Sequence, residues 1–425
     1  MRDSGSLATG FRCIECGKEY TLDKILYSCP ECAPKGMFRG TLDIEYDLEE
    51  AKSSINREVL ERRTTPSWKY AELLPIFDES FIVTLGEGNT PLQRAEKLGA
   101  TIGAKQLFLK NETRNPTWSF KDRIFSVMVS KALEYGYKTI ALASTGNAAA
   151  AASAYAAKAG IGCHIFVPEA TSTAKITQML MHQAEVVKVK GGLLEAGSLS
   201  SEACKQFKWF NVTTGKSMQP YSTEGSKTIA YEIAEQLNYE VPDNVIVPVG
   251  GGDTFGGIWK GFKDLKEIGL TDKLPRMVLA EAEGAPLIAR AFHEKKQYFQ
   301  VTPIEPKTIA AGIKVGIITG PWALNALKES RGEAETVSDD EIVQAEKLMA
   351  VKEALFAEPA SAAPVAVLKK LLDKSRINKD ETCVCIVTGA GLKDIDPLEK
   401  YLEAPPVIKS DIKVLQALLE RKEKS

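Results

Sequence analysis

The chain has 425 residues, 44% of them hydrophobic and 26% charged, with a formal net charge of −2. That is an ordinary soluble composition, long enough for two or three domains, and its balance points to neither nucleic acid nor an anionic membrane as partner. Met1 to Gly10 carry no apolar export core, and no apolar run is long enough to cross a bilayer, so a cytoplasmic protein is expected.

In that compartment the eight cysteines are expected as thiols or metal ligands, not disulfides. Four of them form two knuckles, Cys13-Ile-Glu-Cys16 and Cys29-Pro-Glu-Cys32. Two such pairs converging on one ion make a closed tetrahedral zinc site, which leaves no position for water and therefore reads as structural. A zinc ribbon is thus expected over residues 1–45. Asp47 to Arg63 is charged and helix-compatible, within a connector over residues 46–83. The main domain is expected over 84–404, with a smaller, mobile part over roughly 125–225. In the tail, 405–425, Ile408, Ile412, Leu415 and Leu419 share a helical stripe expected to pack on the domain or on a second subunit.

Within the main domain the central stretch is Asn115 to Arg123 (NPTWSFKDR). An extended segment with Phe108 and Leu109 leads into it, and Ile124, Val127, Met128 and Ala132 follow at helical spacing. Lys121 therefore sits in the first turn of a helix, where negative charge is favoured. That field, with Arg123 close by, is expected to make the neutral amine accessible, and a neutral lysine amine is what forms a Schiff base with an aldehyde.

From Lys105 onward apolar runs alternate with helical stretches: Thr139–Ala143, Cys163–Val167, Val186–Val189, Val245–Val249, Met277–Ala280 and Cys383–Val387. Continuously apolar runs suit parallel strands covered on both faces. The fold class expected is α/β and doubly wound, with ligands at the carboxyl ends of strands. Three such ends stand out. Ser144-Thr145-Gly146-Asn147 precedes an alanine-rich helix, and its free N–H groups would hold a carboxylate. Gly250-Gly251-Gly252-Asp253-Thr254 makes an anion nest fit for a phosphate. Thr388, before Gly389-Ala390-Gly391, places a hydroxyl where it could bond a ring nitrogen without charge.

Together these segments resemble the fold type II pyridoxal-phosphate enzymes, and the threonine synthase family most closely. The resemblance runs from about Thr84 to Leu398 through seven motifs in order: LGEGNTPL (Leu85–Leu92), NPTWSFKDR, STGN, EGSKT (Glu224–Thr228), Pro248–Asp253, EPASAA (Glu358–Ala363) and TGAGLKD (Thr388–Asp394). An N-terminal zinc ribbon is similar to that of some prokaryotic members. The resemblance implies two subdomains with pyridoxal 5'-phosphate between them and a Schiff base on Lys121. Phe120 would lie beside the ring, Asn147 would bond the pyridine hydroxyl, and Gly250, Gly251, Gly252, Asp253 and Thr254 would hold the cofactor phosphate. Thr388 would face the ring nitrogen. Ser144, Thr145 and Gly146 would grip the substrate carboxylate, with Thr117, Trp118 and Ser119 on the substrate side. The activity implied converts O-phospho-L-homoserine and water to L-threonine and phosphate, in a homodimer or higher homo-oligomer acting on a small molecule.

The sequence departs from the family pattern at five positions, two of them Gly251, where an asparagine is frequent in the cofactor loop, and Ala390, where the family has the histidine of TGHG. Trp118 replaces a glycine, Ala148 a threonine and Ser222 an arginine; the lost threonine and arginine help clasp the substrate phosphate in the family. Lys175, Lys216 or Ser226 are candidate replacements. A serine/threonine ammonia-lyase or another β-replacement enzyme is the alternative, and a regulatory paralogue without cofactor a third reading, disfavoured by Lys121, Asn147 and Thr388.

Overall fold

A computed structural model describes residues 5–23, 25–36, 38–215 and 217–423. Near the N-terminus β1 (Ala8–Cys13) pairs antiparallel with β2 (Glu19–Tyr20) and β3 (Leu42–Tyr46), in the order β2-β1-β3. Phe11, Cys13, Leu42 and Ile44 are buried and share one apolar cluster with Ile124, Phe125, Met128 and Tyr221. So small a sheet cannot enclose a core of its own, and it borrows one from the body.

A six-stranded sheet follows, built from β4 (Leu92–Arg94), β5 (Gln106–Asn111), β10 (Asn244–Pro248), β11 (Arg276–Ala282), β12 (Glu333–Val337) and β13 (Thr382–Val387). Its order is β12-β11-β10-β13-β5-β4, parallel except for β4 at the edge. A four-stranded parallel sheet, β8-β7-β6-β9, comprises β6 (Thr139–Ala143), β7 (Gly162–Pro168), β8 (Glu185–Val189) and β9 (Phe210–Asn211). All six apolar runs read from the sequence are strands, within a residue or two of their expected ends. Two parallel sheets with covering helices make the α/β fold expected. β12 and the short strands had no expectation attached: Glu333 and Glu335 interrupt the apolar pattern of β12, and Glu333 is held by Arg276 (2.8 Å) and Arg376 (2.6 Å).

The topology brings the chemistry together. β10, β13 and β5 are adjacent and parallel. Their carboxyl ends therefore lie side by side, and they lead into Gly250–Gly252, Thr388 and the Glu112–Arg123 segment respectively. Residues up to Asp394 form one compact unit. Ile395 onward is a second, with a 3-10 turn at Asp396–Tyr401 and a helix at Ile412–Glu423. Among the described residues no helix is long and apolar enough to cross a membrane.

Candidate active site

Lys121 is the first residue of the helix Lys121–Glu134. Its ammonium lies 4.6 Å from the centre of the Phe120 ring and has no hydrogen-bond partner among the described residues. The amine is pushed down to about 8, chiefly by burial, with Asp253 and Glu358 pulling the other way. The cause differs from the one expected. Arg123 does not contribute, because its guanidinium is already neutralised.

That neutralisation is the strongest feature of the region. Arg123 is fully enclosed and donates to Glu112 at 2.7 and 2.9 Å and to Glu232 at 2.6 and 2.7 Å. Lys110 Nζ donates to the same Glu232 at 2.7 Å. Two cations and two carboxylates balance, which is the condition under which buried charge is tolerated. The network ties β5, the Lys121 helix and the helix Glu224–Gln236 into one block directly behind the lysine. Asp122 closes the turn before the helix by accepting from Thr117 N and Thr117 Oγ1, both at 3.0 Å, and burial raises its carboxyl to about 7. Ser119 Oγ is buried without a partner among the described residues.

The end of β13 is stitched to this segment. Phe120 N donates to Thr388 O (2.9 Å) and Ala390 N to Trp118 O (3.0 Å). Thr388 Oγ1 meets Ser361 Oγ at 2.9 Å and Glu358 Oε1 at 3.5 Å. Glu358 also accepts from Asn147 Nδ2 at 3.0 and 3.1 Å, so one buried carboxyl spans the two residues expected at opposite edges of a ring. Burial raises its pKa. The sequence reading missed Glu358 and Ser361 as site residues, although both lie in the EPASAA motif.

Gly250–Gly252 forms a tight cradle. A β-carbon on Gly250 would stand 2.7 Å from Val315, and one on Gly251 2.7 Å from Thr319 Oγ1. Gly252 has φ +105° and caps the helix Asp253–Glu267. Thr319 Oγ1 lies within donating reach of Gly251 O and Asp253 Oδ2, both at 2.8 Å. Thr254 follows in the first turn, partly exposed. Ser144 and Thr145 are partly exposed ahead of the helix Asn147–Ala159. Gly146 is open: a β-carbon there would have nothing within 4 Å.

This arrangement of lysine, glycine cradle and strand-end threonine has known relatives. Residues 83–389 match the family model described as pyridoxal-phosphate dependent enzyme. The chain is 44% identical to the threonine synthase of Methanocaldococcus jannaschii over 412 residues, covering 96% of this chain and 99% of that one. It is 42% identical to the threonine synthase of Methanosarcina acetivorans, covering 97% and 99%. The chain belongs to the pyridoxal-phosphate-dependent threonine synthase family. The fold is shared more widely: diaminopropionate ammonia lyase from Escherichia coli superposes with a TM-score of 0.65 at 19% identity, over 76% of this chain and 92% of that one.

Within the threonine synthase family the altered residues can now be placed. Trp118 adopts φ +66°, a left-handed conformation costly for a bulky side chain, and is 53% exposed. Ala148 is buried in the first turn of its helix. Ser222 lies in the 3-10 turn Pro220–Thr223, with Ser222 Oγ and Thr223 Oγ1 buried and unpartnered among the described residues. Of the candidate replacement donors, Ser226 Oγ donates to Thr223 O (2.7 Å) and is already bonded. Lys216 and the Lys175 side chain lie outside the described residues.

The cofactor of the family fits these residues: an unpaired amine of lowered pKa, a cradle that no side chain could enter, and a neutral hydroxyl at the end of β13. The four cysteines also converge. Their sulfurs all lie within 4.8 Å of one another, and Cys16 Sγ stands 3.8 Å from Cys29 Sγ. Sulfurs bound about 2.3 Å from a central zinc would be roughly 3.8 Å apart, so the set has the dimensions of a closed tetrahedral site.

Proposed function

We propose that the chain converts O-phospho-L-homoserine and water to L-threonine and phosphate. The observation that carries this reading is the near full-length likeness to threonine synthases, joined to a site in which one unpaired lysine faces the meeting point of three strand ends. Pyridoxal phosphate, when bound, supplies an electron sink for the negative charge that develops on the substrate carbons. Lys121 then serves as the attachment point and moves protons at the substrate's α and β carbons; an amine near 8 can both take and return a proton at neutral pH. Gly250 to Thr254 hold the cofactor phosphate, and Phe120 flanks the ring. Thr388 would offer its hydroxyl to the ring nitrogen, and Asn147 its side-chain amide to the pyridine oxygen. Glu358 fixes the orientation of both. Ser144, Thr145 and Gly146, at the start of a helix, receive the α-carboxylate. Thr117, Trp118 and Ser119 border the substrate side. Cys13, Cys16, Cys29 and Cys32 hold one structural zinc. A cytoplasmic homo-oligomer completes the reading.

The reaction breaks a carbon–oxygen bond and leaves the phosphate its bridging oxygen. Turnover in ¹⁸O-water should therefore place the label in the threonine hydroxyl and none in the phosphate. Label in the phosphate, with homoserine as product, would mean simple phosphomonoester hydrolysis and would refute the proposal.

A further inference from the structure

Trp118 is held in a conformation that its own side chain opposes. At φ +66° a bulky residue is strained, and such strain persists only where the surroundings over-determine it. Here they do. Trp118 N donates to Asn115 O at 2.8 Å, Ala390 N to Trp118 O at 3.0 Å, and Lys393 Nζ to Thr117 O at 2.6 Å. Asp122 Oδ2 holds Thr117 through its amide and its hydroxyl, both at 3.0 Å. The indole gains little inside the protein in return. It is more than half exposed, and among the described residues no hydrogen bond or ring contact involves it. A costly backbone carrying an uncommitted aromatic side chain beside a catalytic lysine points to a ligand.

The backbone places that side chain at the site. Ser119 and Gly389 form an antiparallel bridge, bracketed by the bonds Phe120 N to Thr388 O and Ala390 N to Trp118 O. Lys121 lies three residues past Trp118, and Thr388 two before Ala390. Ser119 Oγ, next along from the indole, is buried and has no partner among the described residues. The same bridge sets Trp118 opposite Ala390. Two of the departures from the family pattern are therefore neighbours: glycine has become tryptophan at 118, and histidine has become alanine at 390. Residues opposite each other across an antiparallel bridge share a face, so bulk at one competes with bulk at the other. Ala390 has little room elsewhere. Ala357 pairs with it on its far side, where Glu358 N donates to Gly389 O at 3.0 Å and Gly391 N to Phe356 O at 3.1 Å.

We propose that Trp118 is a specificity-determining residue whose indole walls the path of the substrate's side chain, and that Ala390 opposite it is small to leave the indole that space. The large side chain has been exchanged across the bridge, from 390 to 118. The proposal rests on the activity proposed above for the identity of the substrate.

The test uses the full-length enzyme with cofactor bound and follows the cofactor's absorbance band as an amino acid is added. O-phosphohomoserine has a side chain long enough to meet the wall; L-alanine does not, and so reports the rest of the site. Trp118→Gly should raise the half-saturating concentration of O-phosphohomoserine about tenfold, the scale of a lost aromatic contact, and leave that of L-alanine unchanged. Its denaturant midpoint should not fall, which separates the loss from unfolding. Ala390→His alone should weaken O-phosphohomoserine severalfold by crowding the indole. The double variant Trp118→Gly/Ala390→His should bind it more tightly than either single variant, the non-additivity of a shared space. Equal weakening of both amino acids in Trp118→Gly would mean general damage to the loop and would overturn the wall. So would unchanged affinities with an altered sedimentation coefficient, which would place the indole against a second subunit. Losses that simply add in the double variant overturn the exchange with Ala390. A wild-type band that shifts with threonine but not with O-phosphohomoserine refutes the activity instead, and threonine against L-alanine then tests the wall by the same ratio.

Discussion

Two regions of the molecule are built in opposite ways. Around Lys121 the buried charges and the strand-end hydroxyl are paired: Arg123 has two carboxylates, Thr388 has Ser361 and Glu358, and the glycine cradle has Thr319. The Pro220–Thr223 turn, by contrast, carries two buried hydroxyls, Ser222 Oγ and Thr223 Oγ1, with no partner among the described residues. A wall that serves the same cofactor in every turnover gains from being fixed in advance, since preorganised groups need no rearrangement as charge develops. Of the departures from the family pattern, Trp118, Ala148 and Ser222 lie outside the residues proposed to hold the cofactor, whereas Gly251 lies among them.

The largest effect should come from Lys121, whose amine has no hydrogen-bond partner among the described residues. Lys121→Ala should lose turnover by roughly a thousandfold or more, as expected for removal of the group that moves the protons. Borohydride reduction of the unmodified enzyme should place the cofactor on the peptide containing Lys121, and an adduct on any other lysine would contradict the assignment. The same amine sets a pH dependence. Its protonated form cannot attack an aldehyde, so cofactor uptake by the apoenzyme should quicken as pH rises toward about 8 and level off above it. Uptake that slows over that interval would contradict the lowered amine.

The block behind the lysine should respond next. Arg123→Met would leave Glu112 buried without its cation and Glu232 with Lys110 alone, and the fold should lose about 3–5 kcal/mol, read as a lower denaturant midpoint. A loss below about 1 kcal/mol would mean that the network is not held as described. The smallest effect should come from the exposed rim. Trp118→Gly removes a bulky residue from φ +66°, and the fold should gain about 1 kcal/mol. A loss of stability would show that the indole is packed by something worth more than the backbone strain.

What could be read in the sequence follows the same division. Lys121, the Gly250–Gly252 cradle and Thr388 are local signals: an apolar strand, then a residue type that only a ligand explains. Glu358, Ser361 and the Arg123 network could not be read that way. Glu232 meets Arg123 from 109 positions away, and Tyr46 meets Glu224 from 178. Such partners depend on which strands become neighbours, and periodicity carries no record of that. The four cysteines were legible because two close pairs are needed at one point. That their sheet shares its core with the Lys121 helix and with Tyr221 was not. β12 went unread because Glu333, buried and paired with two arginines, and Glu335, paired with Lys374, look in sequence like a surface segment.

The most direct test of the proposed activity is a side-by-side assay of O-phosphohomoserine, threonine and serine with the full-length enzyme, scoring phosphate, threonine, 2-oxo acid and ammonia. Phosphate and threonine should form in equal amounts from the first substrate, with little oxo acid from the other two. Oxo acid and ammonia from threonine or serine, with phosphohomoserine unconsumed, would contradict it and make the chain an ammonia-lyase on the same fold.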